Sequence, residues 1–333
     1  LDFNILGLTY YSTLYPGRMT SPKRSILITG RCSRGGVGNA LALEFAAHGM
    51  RVFATARSTA SLSTLEDKGI ETFALDVTNA ASIAAFRDEI VKRTGGKLDI
   101  LFNNAGTIFQ LLTRFSALTV YEAPAIEADP TRTRAMFDAN VFGLFDMVST
   151  FTPLLLASAS NTQTPPVIIN TSSILSRLPF AFSAAYNASK AAVASYSDTL
   201  RIELDPLGIK VVTVFMGEVA TNLMSSDNIS FGSGSIYIDA EENAKERSRN
   251  HSKNSLKPEV FARQIVEEVL VKNPRYGQGE YLWKGSNAVL IWFLNAVGWR
   301  KIFDNTVKKM VGLDQEKIRR SIFDKGQESV KLE

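Results

Sequence analysis

The sequence predicts an α/β fold, a doubly wound parallel sheet with helices on both faces. Three observations carry the prediction. Short β-branched runs alternate with helical patterns, the order that parallel strands and their crossover helices require. A glycine-rich turn joins the first run to the first helix, as in folds that hold a phosphate at a helix N-terminus. The 333 residues are 45% hydrophobic and 21% charged, which is enough apolar material for one large core and too much for a disordered chain.

Residues 25–29 read as the first strand and 39–48 as the first helix. Further strands fall at 51–56, 72–75, 98–102, 167–170 and 210–215. Residues 222–257 are polar, rich in Ser, Asn and Gly, and lack apolar periodicity; they read as a mobile loop region. Residues 258–271 return to an amphipathic helix. No internal repeat and no linker separates two cores. About 250 residues suffice for one such domain, so the expected division is an N-terminal appendage at 1–20, a domain at 21–285 and an amphipathic, basic extension at 286–333.

Composition excludes several chemistries. The single cysteine, Cys32, rules out an intrachain disulfide framework and a Cys-rich zinc site. The two histidines, His48 and His251, argue against a His-based metal centre. The longest apolar run, residues 288–294, falls far short of the roughly 20 residues that cross a bilayer. Residues 1–18 lack the pattern of a signal peptide. The expectation is a soluble protein of a reducing compartment, cytoplasmic, with peripheral contact at an endoplasmic-reticulum or lipid-droplet surface as the open alternative. Residues 245–333 carry 18 Lys and Arg against 11 Asp and Glu. That excess suits an anionic surface or simply a solvated face. No Arg-rich recognition helix or zinc finger accompanies it, so nucleic acid is not expected as a partner.

The turn after the first strand holds Gly30, Arg34, Gly36, Val37 and Gly38. Glycines let backbone approach a pyrophosphate, and the helix N-terminus favours its charge. Folds that choose NAD place a carboxylate at the end of the second strand. Here that end is Ala56-Arg57, and Arg34 stands in the turn. Two guanidiniums suit the 2′-phosphate of NADP(H), although both could instead face solvent. Further on, Tyr186 and Lys190 are spaced to share one helix face. Ser173 ends the fifth strand, Asn103-Asn-Ala-Gly106 follows the fourth, Asp76-Val77 closes the third, and Asn140 lies in the next helical segment.

With these residues in this order, the chain resembles the short-chain dehydrogenase/reductase family over about residues 23–285. The resemblance implies a Rossmann-type sheet, usually of seven strands, and a catalytic tetrad of Asn140, Ser173, Tyr186 and Lys190. By the same implication Lys190 would lower the Tyr186 pKa and hold the nicotinamide ribose. Ser173 would hydrogen-bond the carbonyl oxygen, and Asn140 would position a relay water. Asp76 would contact adenine, Asn103 and Gly106 would line the cofactor, and Thr221 would hold its carboxamide, with Val77, Ala105 and Val219 beside them. More narrowly, Gly35-Gly-Val-Gly38, the run at 137–143 and the stretch at 283–313 resemble the fungal branch that contains 1-acyldihydroxyacetone-phosphate reductases. That branch also includes tailoring reductases of secondary metabolism. The implied function is an NADPH-dependent carbonyl reductase acting on a bulky or lipid-like ketone. The alternatives are a secondary-alcohol dehydrogenase running the same tetrad in reverse, or a non-catalytic NADP(H)-binding regulator, against which the intact Ser–Tyr–Lys set argues.

Three features depart from the family pattern. Gly30 and Gly36 enclose five residues rather than the usual three, with Arg31 as one of the extra pair; a longer turn would set the helix back from the pyrophosphate. About a dozen surplus residues fall around 109–119, where they would form either a substrate wall or a neutral excursion. Met216-Gly217 replaces the usual Pro-Gly after the sixth strand. In the tail, residues 283–299 carry Trp283, Trp292 and Trp299, flanked by Lys284, Arg300 and Lys301. This stretch reads as a lid, as a subunit contact in a homo-oligomer, or as an interfacial membrane helix.

Overall fold

Alternation within the first strand decides the layering. Ile26 and Ile28 belong to one buried cluster and Leu27 to another, because successive side chains leave a strand on opposite faces. The computed structural model describes residues 23–30, 32–105, 122–159, 164–220, 229–272 and 280–330. The strands are β1 (Ser25–Ile28), β2 (Arg51–Ala56), β3 (Glu71–Ala74), β4 (Ile100–Asn103), β5 (Val167–Ser173), β6 (Lys210–Met216) and β7 (Tyr281–Lys284). All pair in parallel, in the order β3-β2-β1-β4-β5-β6-β7.

The principal helices are α1 (Val37–Ala47), α2 (Ser63–Glu66), α3 (Ala80–Thr94), α4 (Pro130–Phe137), α5 (Gly143–Ala159), α6 (Ala184–Leu204), α7 (Glu241–Asn254), α8 (Pro258–Val266), α9 (Ala288–Val297), α10 (Asp304–Met310) and α11 (Glu316–Ser329). Leu41 and Phe45 of α1, with Phe261 and Ile265 of α8, cover one face of the sheet. Phe86 of α3, Met147 and Phe151 of α5, and Val193 and Leu200 of α6 cover the other. Burial on both faces makes the central strands nearly continuous apolar runs, which is why they were legible. The helical run Pro130–Ala159 is long and apolar enough to cross a bilayer. Leu144, Met147, Val148, Phe151, Leu154 and Leu155 of that run instead form the α5 side of this core.

Two expectations are corrected. Residues 238–254 are not loop: a short turn leads into α7. Among its described side chains the buried ones are Ala244, Arg247 and Ser248, small or charged residues that give no apolar periodicity. Trp283 does not belong to an aromatic tail. It lies on β7 and stacks on Phe215 with ring centroids 4.2 Å apart. Beyond β7, Ala288 and Ile291 of α9 pack with Phe303 and Val307 on Ile174, beside Leu175 and Leu178. Val311 and Ile318 pack on Phe182, Ala240 and Ala244. The extension therefore covers the segment leaving β5. The expected appendage at 1–20 and the surplus at 109–119 lie outside the described residues.

Candidate active site

The strand order reverses direction between β1 and β4, and crevices form at the carboxyl ends of the strands where this happens. Thr29 ties the two ends together. Its hydroxyl accepts from the backbone N–H groups of Asn104 and Ala105, each at 3.1 Å. Gly30 has φ +71°, and a Cβ there would meet the Ala105 Cα at 2.5 Å, so only glycine lets the turn come this close. Asn39 Nδ2 donates to the Cys32 carbonyl at 2.9 Å, pinning the lengthened turn to α1. Thr55 donates to the Ile28 carbonyl and accepts from Gly30 N–H. Gly36 caps α1 without a side-chain hydrogen bond, which leaves N-terminal N–H groups without a side-chain acceptor. Arg34 and Arg57 are exposed.

The close approach of Gly30, the side-chain-free cap and the two flanking guanidiniums fit a dinucleotide with an extra phosphate. Among the other residues expected at the cofactor, Ala105 is half-buried and Val77 and Val219 are buried. Asp76 turns its carboxylate onto Thr78, accepting from its N–H and hydroxyl at 3.0 and 2.7 Å. Asn103 is buried and donates to Asn170 Oδ1 at 2.9 Å, tying β4 to β5; Asn170 in turn donates to Ser197. Gly106, Thr221 and Arg31 lie outside the described residues.

The four residues expected to be catalytic come from three elements. Asn140 is fully buried in a widened helical turn, Asp138–Phe142, between α4 and α5. Such five-residue turns recur at functional sites. Its Nδ2 donates to Ser189 Oγ at 3.1 Å, and Ser189 donates to the Tyr186 carbonyl at 2.8 Å. Ser173 ends β5, and its hydroxyl accepts from Leu175 N–H at 3.1 Å. The same hydroxyl donates to the Met216 carbonyl at 3.4 Å, and it lies close enough to the Tyr186 phenol to act on its pKa. Lys190, buried one turn after the tyrosine, donates through Nζ to the Thr171 carbonyl at 2.9 Å.

The expected depression of the tyrosine is corrected. Burial pushes the Tyr186 phenol up to about 12, with the nearby Ser173 hydroxyl acting in the opposite direction. Burial also lowers Lys190 to about 8. Desolvation disfavours both charged forms, and Lys190 stands 5.8 Å from the Tyr186 ring centroid. Tyr186 is therefore held as a protonated phenol. At the Met216-Gly217 departure, a Cβ on Gly217 would collide with the Ser286 carbonyl, so glycine is required at 217. Lys284, expected as a cation flanking the tail, is instead paired with Glu268 at 2.7 Å. The residues that sequence reasoning missed are Thr29, Asn39, Thr55 and Ser189. No local pattern marks them, because each acts on backbone or side chains brought near by folding.

The short chain dehydrogenase family model matches residues 24–230. The chain belongs to that family. Its members are oxidoreductases acting on CH–OH and C=O groups, and this chain is one of them. It is 35% identical to the short-chain dehydrogenase virD of Hypocrea virens, over 86% of this chain and 92% of that protein. It is 40% identical to the NADPH-dependent 1-acyldihydroxyacetone phosphate reductase of Schizosaccharomyces pombe, over 61% of this chain and 62% of that one. Among solved structures, a short-chain dehydrogenase from Streptomyces avermitilis superposes with a TM-score of 0.66 at 25% identity, covering 89% of this chain and all of that one.

Proposed function

We propose that this oxidoreductase is an NADPH-dependent carbonyl reductase of the cytoplasm. Its substrate is a bulky or lipid-like ketone, such as an acyl-dihydroxyacetone phosphate or an intermediate of secondary metabolism. The observation that carries the reading is the placing of Ser173, at the end of β5, close enough to the Tyr186 phenol to act on its pKa, with buried Lys190 one helical turn further on. When bound, the dinucleotide supplies the hydride that reaches the carbonyl carbon. Tyr186 donates its proton to the oxygen as charge develops there. The Ser173 hydroxyl donates a hydrogen bond to the same oxygen. Asn140, through Ser189, fixes the backbone that carries Tyr186.

With its pKa raised, Tyr186 is protonated at neutral pH, the form that donates a proton to the carbonyl oxygen during reduction. Arg34 and Arg57 support NADPH, as does the NADPH dependence of the S. pombe relative. The substrate of that relative, a 1-acyldihydroxyacetone phosphate, supports the lipid-like substrate class. The test is NADPH consumption with a panel of ketones, comparing wild type with Tyr186→Phe. A loss of about 10²- to 10⁴-fold in turnover is expected; a variant as fast as wild type overturns the mechanism.

A further inference from the structure

Helix α9 is apolar almost throughout, with Asn295 its single polar residue. Ala288 and Ile291 are buried against the segment leaving β5, and Leu294 is partly so. On the opposite side Val289, Leu290, Trp292, Phe293 and Val297 are each between 48% and 67% exposed, and Trp299, just past the helix, is 72% exposed. At 100° per residue, these positions and Ala296 form a stripe roughly 160° wide without one polar side chain. A helix apolar all round is normally buried on all sides, and a contiguous exposed patch marks a surface with a partner.

The charges beside the stripe identify that partner. Arg300 and Lys301 follow Trp299 directly, and Lys308 and Lys309 lie on α10; Asp304 is the one acid from 288 to 311. Tryptophan beside cations is the composition of the boundary between acyl chains and head groups. At ten residues, α9 is about 15 Å long, too short to span a bilayer, so it would lie in the plane of the surface. A second copy of the chain is a poorer occupant, because residues 288–311 carry four cations and a single acid, so another α9 offers these cations little counter-charge.

We propose that α9, with Trp299, Arg300 and Lys301, is a docking helix that seats the protein on an anionic lipid surface. Its inner face packs on Ile174 and Leu175, directly after Ser173. Docking therefore sets the tetrad's end of the sheet near the head groups, where an amphiphilic ketone resides. Only this last consequence rests on the proposed substrate class; docking itself does not.

Flotation of the full-length protein, without substrate, tests docking on phosphatidylcholine vesicles with and without phosphatidylserine. Wild type is expected to float with the phosphatidylserine vesicles and to be released as salt rises from about 0.05 to about 0.5 M. Leu290→Glu with Phe293→Glu is expected to lower vesicle binding at least tenfold. Both sites are exposed, so reduction of a small water-soluble ketone should stay within twofold of wild type. Arg300→Glu with Lys301→Glu should abolish the preference for phosphatidylserine. Wild type remaining in the soluble fraction at low salt overturns the proposal, as does unchanged vesicle binding by the Leu290→Glu/Phe293→Glu variant. A dimer that this variant dissociates, with no vesicle binding by wild type, assigns the stripe to a second copy. Vesicle binding by a protein that reduces no ketone leaves docking standing and removes only the substrate reading.

Discussion

Lys190 Nζ donates to the Thr171 carbonyl at 2.9 Å, so the cation of the tetrad is anchored to the strand that ends in Ser173. Burial lowers this lysine to about 8 and pushes Tyr186 up to about 12. Lys190 therefore loses its charge as pH rises through about 8, while the phenol stays protonated. A kcat that depends on the ammonium is expected to fall along a basic limb near pH 8. Lys190→Arg should remove the limb while lowering the rate, because a guanidinium does not deprotonate in this range. A limb unchanged in that variant assigns it to another group. The unfolded lysine binds its proton more tightly than the folded one, so this residue's contribution to stability rises between about pH 8 and 10.5.

Ser189 links Asn140 to the Tyr186 carbonyl. Ser189→Ala takes that acceptor from a buried amide, which costs about 1–3 kcal/mol. The expected result is a lower urea midpoint and a reduced kcat with little change in KM. Wild-type kcat in this variant would show that Asn140 keeps its place without the serine.

Arg34, in the turn after β1, and Arg57, directly after β2, are both exposed. If they hold the 2′-phosphate, Arg57→Asp raises the KM for NADPH by about 10- to 100-fold, the worth of one charge-assisted hydrogen bond. NADH turnover should hold or improve. An unchanged NADPH KM in the Arg34→Ser/Arg57→Asp double variant would show that both side chains serve only solvation.

What the sequence revealed depended on whether a residue's task is local. Strands β1 to β6 were legible within a few residues because burial on both faces makes them apolar runs. Edge strand β7 was not, since its four residues read as the start of an aromatic stretch and Trp283 finds its partner only across the sheet. The Tyr186–Lys190 pair was legible from one helical turn of spacing. The Thr29 clamp was not, because its partners Asn104 and Ala105 lie 75 and 76 residues away. Helix α7 escaped notice because charged and small residues do the work of its buried face. The direction of the tyrosine's shift needed the structure as well: proximity to a lysine suggests a lower pKa, whereas burial of both groups reverses the result.

Arg247 of α7 forms an ion pair with Glu122 in which both side chains are at most 5% exposed, and its guanidinium lies 4.5 Å from the Phe180 ring centroid. The chain around Glu122 is held at two further points. Ala123 N–H donates to the Phe182 carbonyl at 2.8 Å, and Glu127 accepts from Ser235 Oγ at 2.6 Å and from Ile236 N–H at 3.0 Å. The pair thus fastens the segment before α4 to α7 and to the segment following Ser173. Glu122→Gln leaves the guanidinium's charge uncompensated in the interior, which is expected to cost about 3–5 kcal/mol. Removing both charges, as Glu122→Gln with Arg247→Met, should cost less than the sum of the single changes, because no lone charge remains buried. Urea denaturation across the double-mutant cycle measures that coupling. Because the pair holds segments flanking the tetrad, kcat/KM should fall more for bulky ketones than for small ones in the double variant. An equal fall for both would show that the pair supports stability without bearing on substrate size.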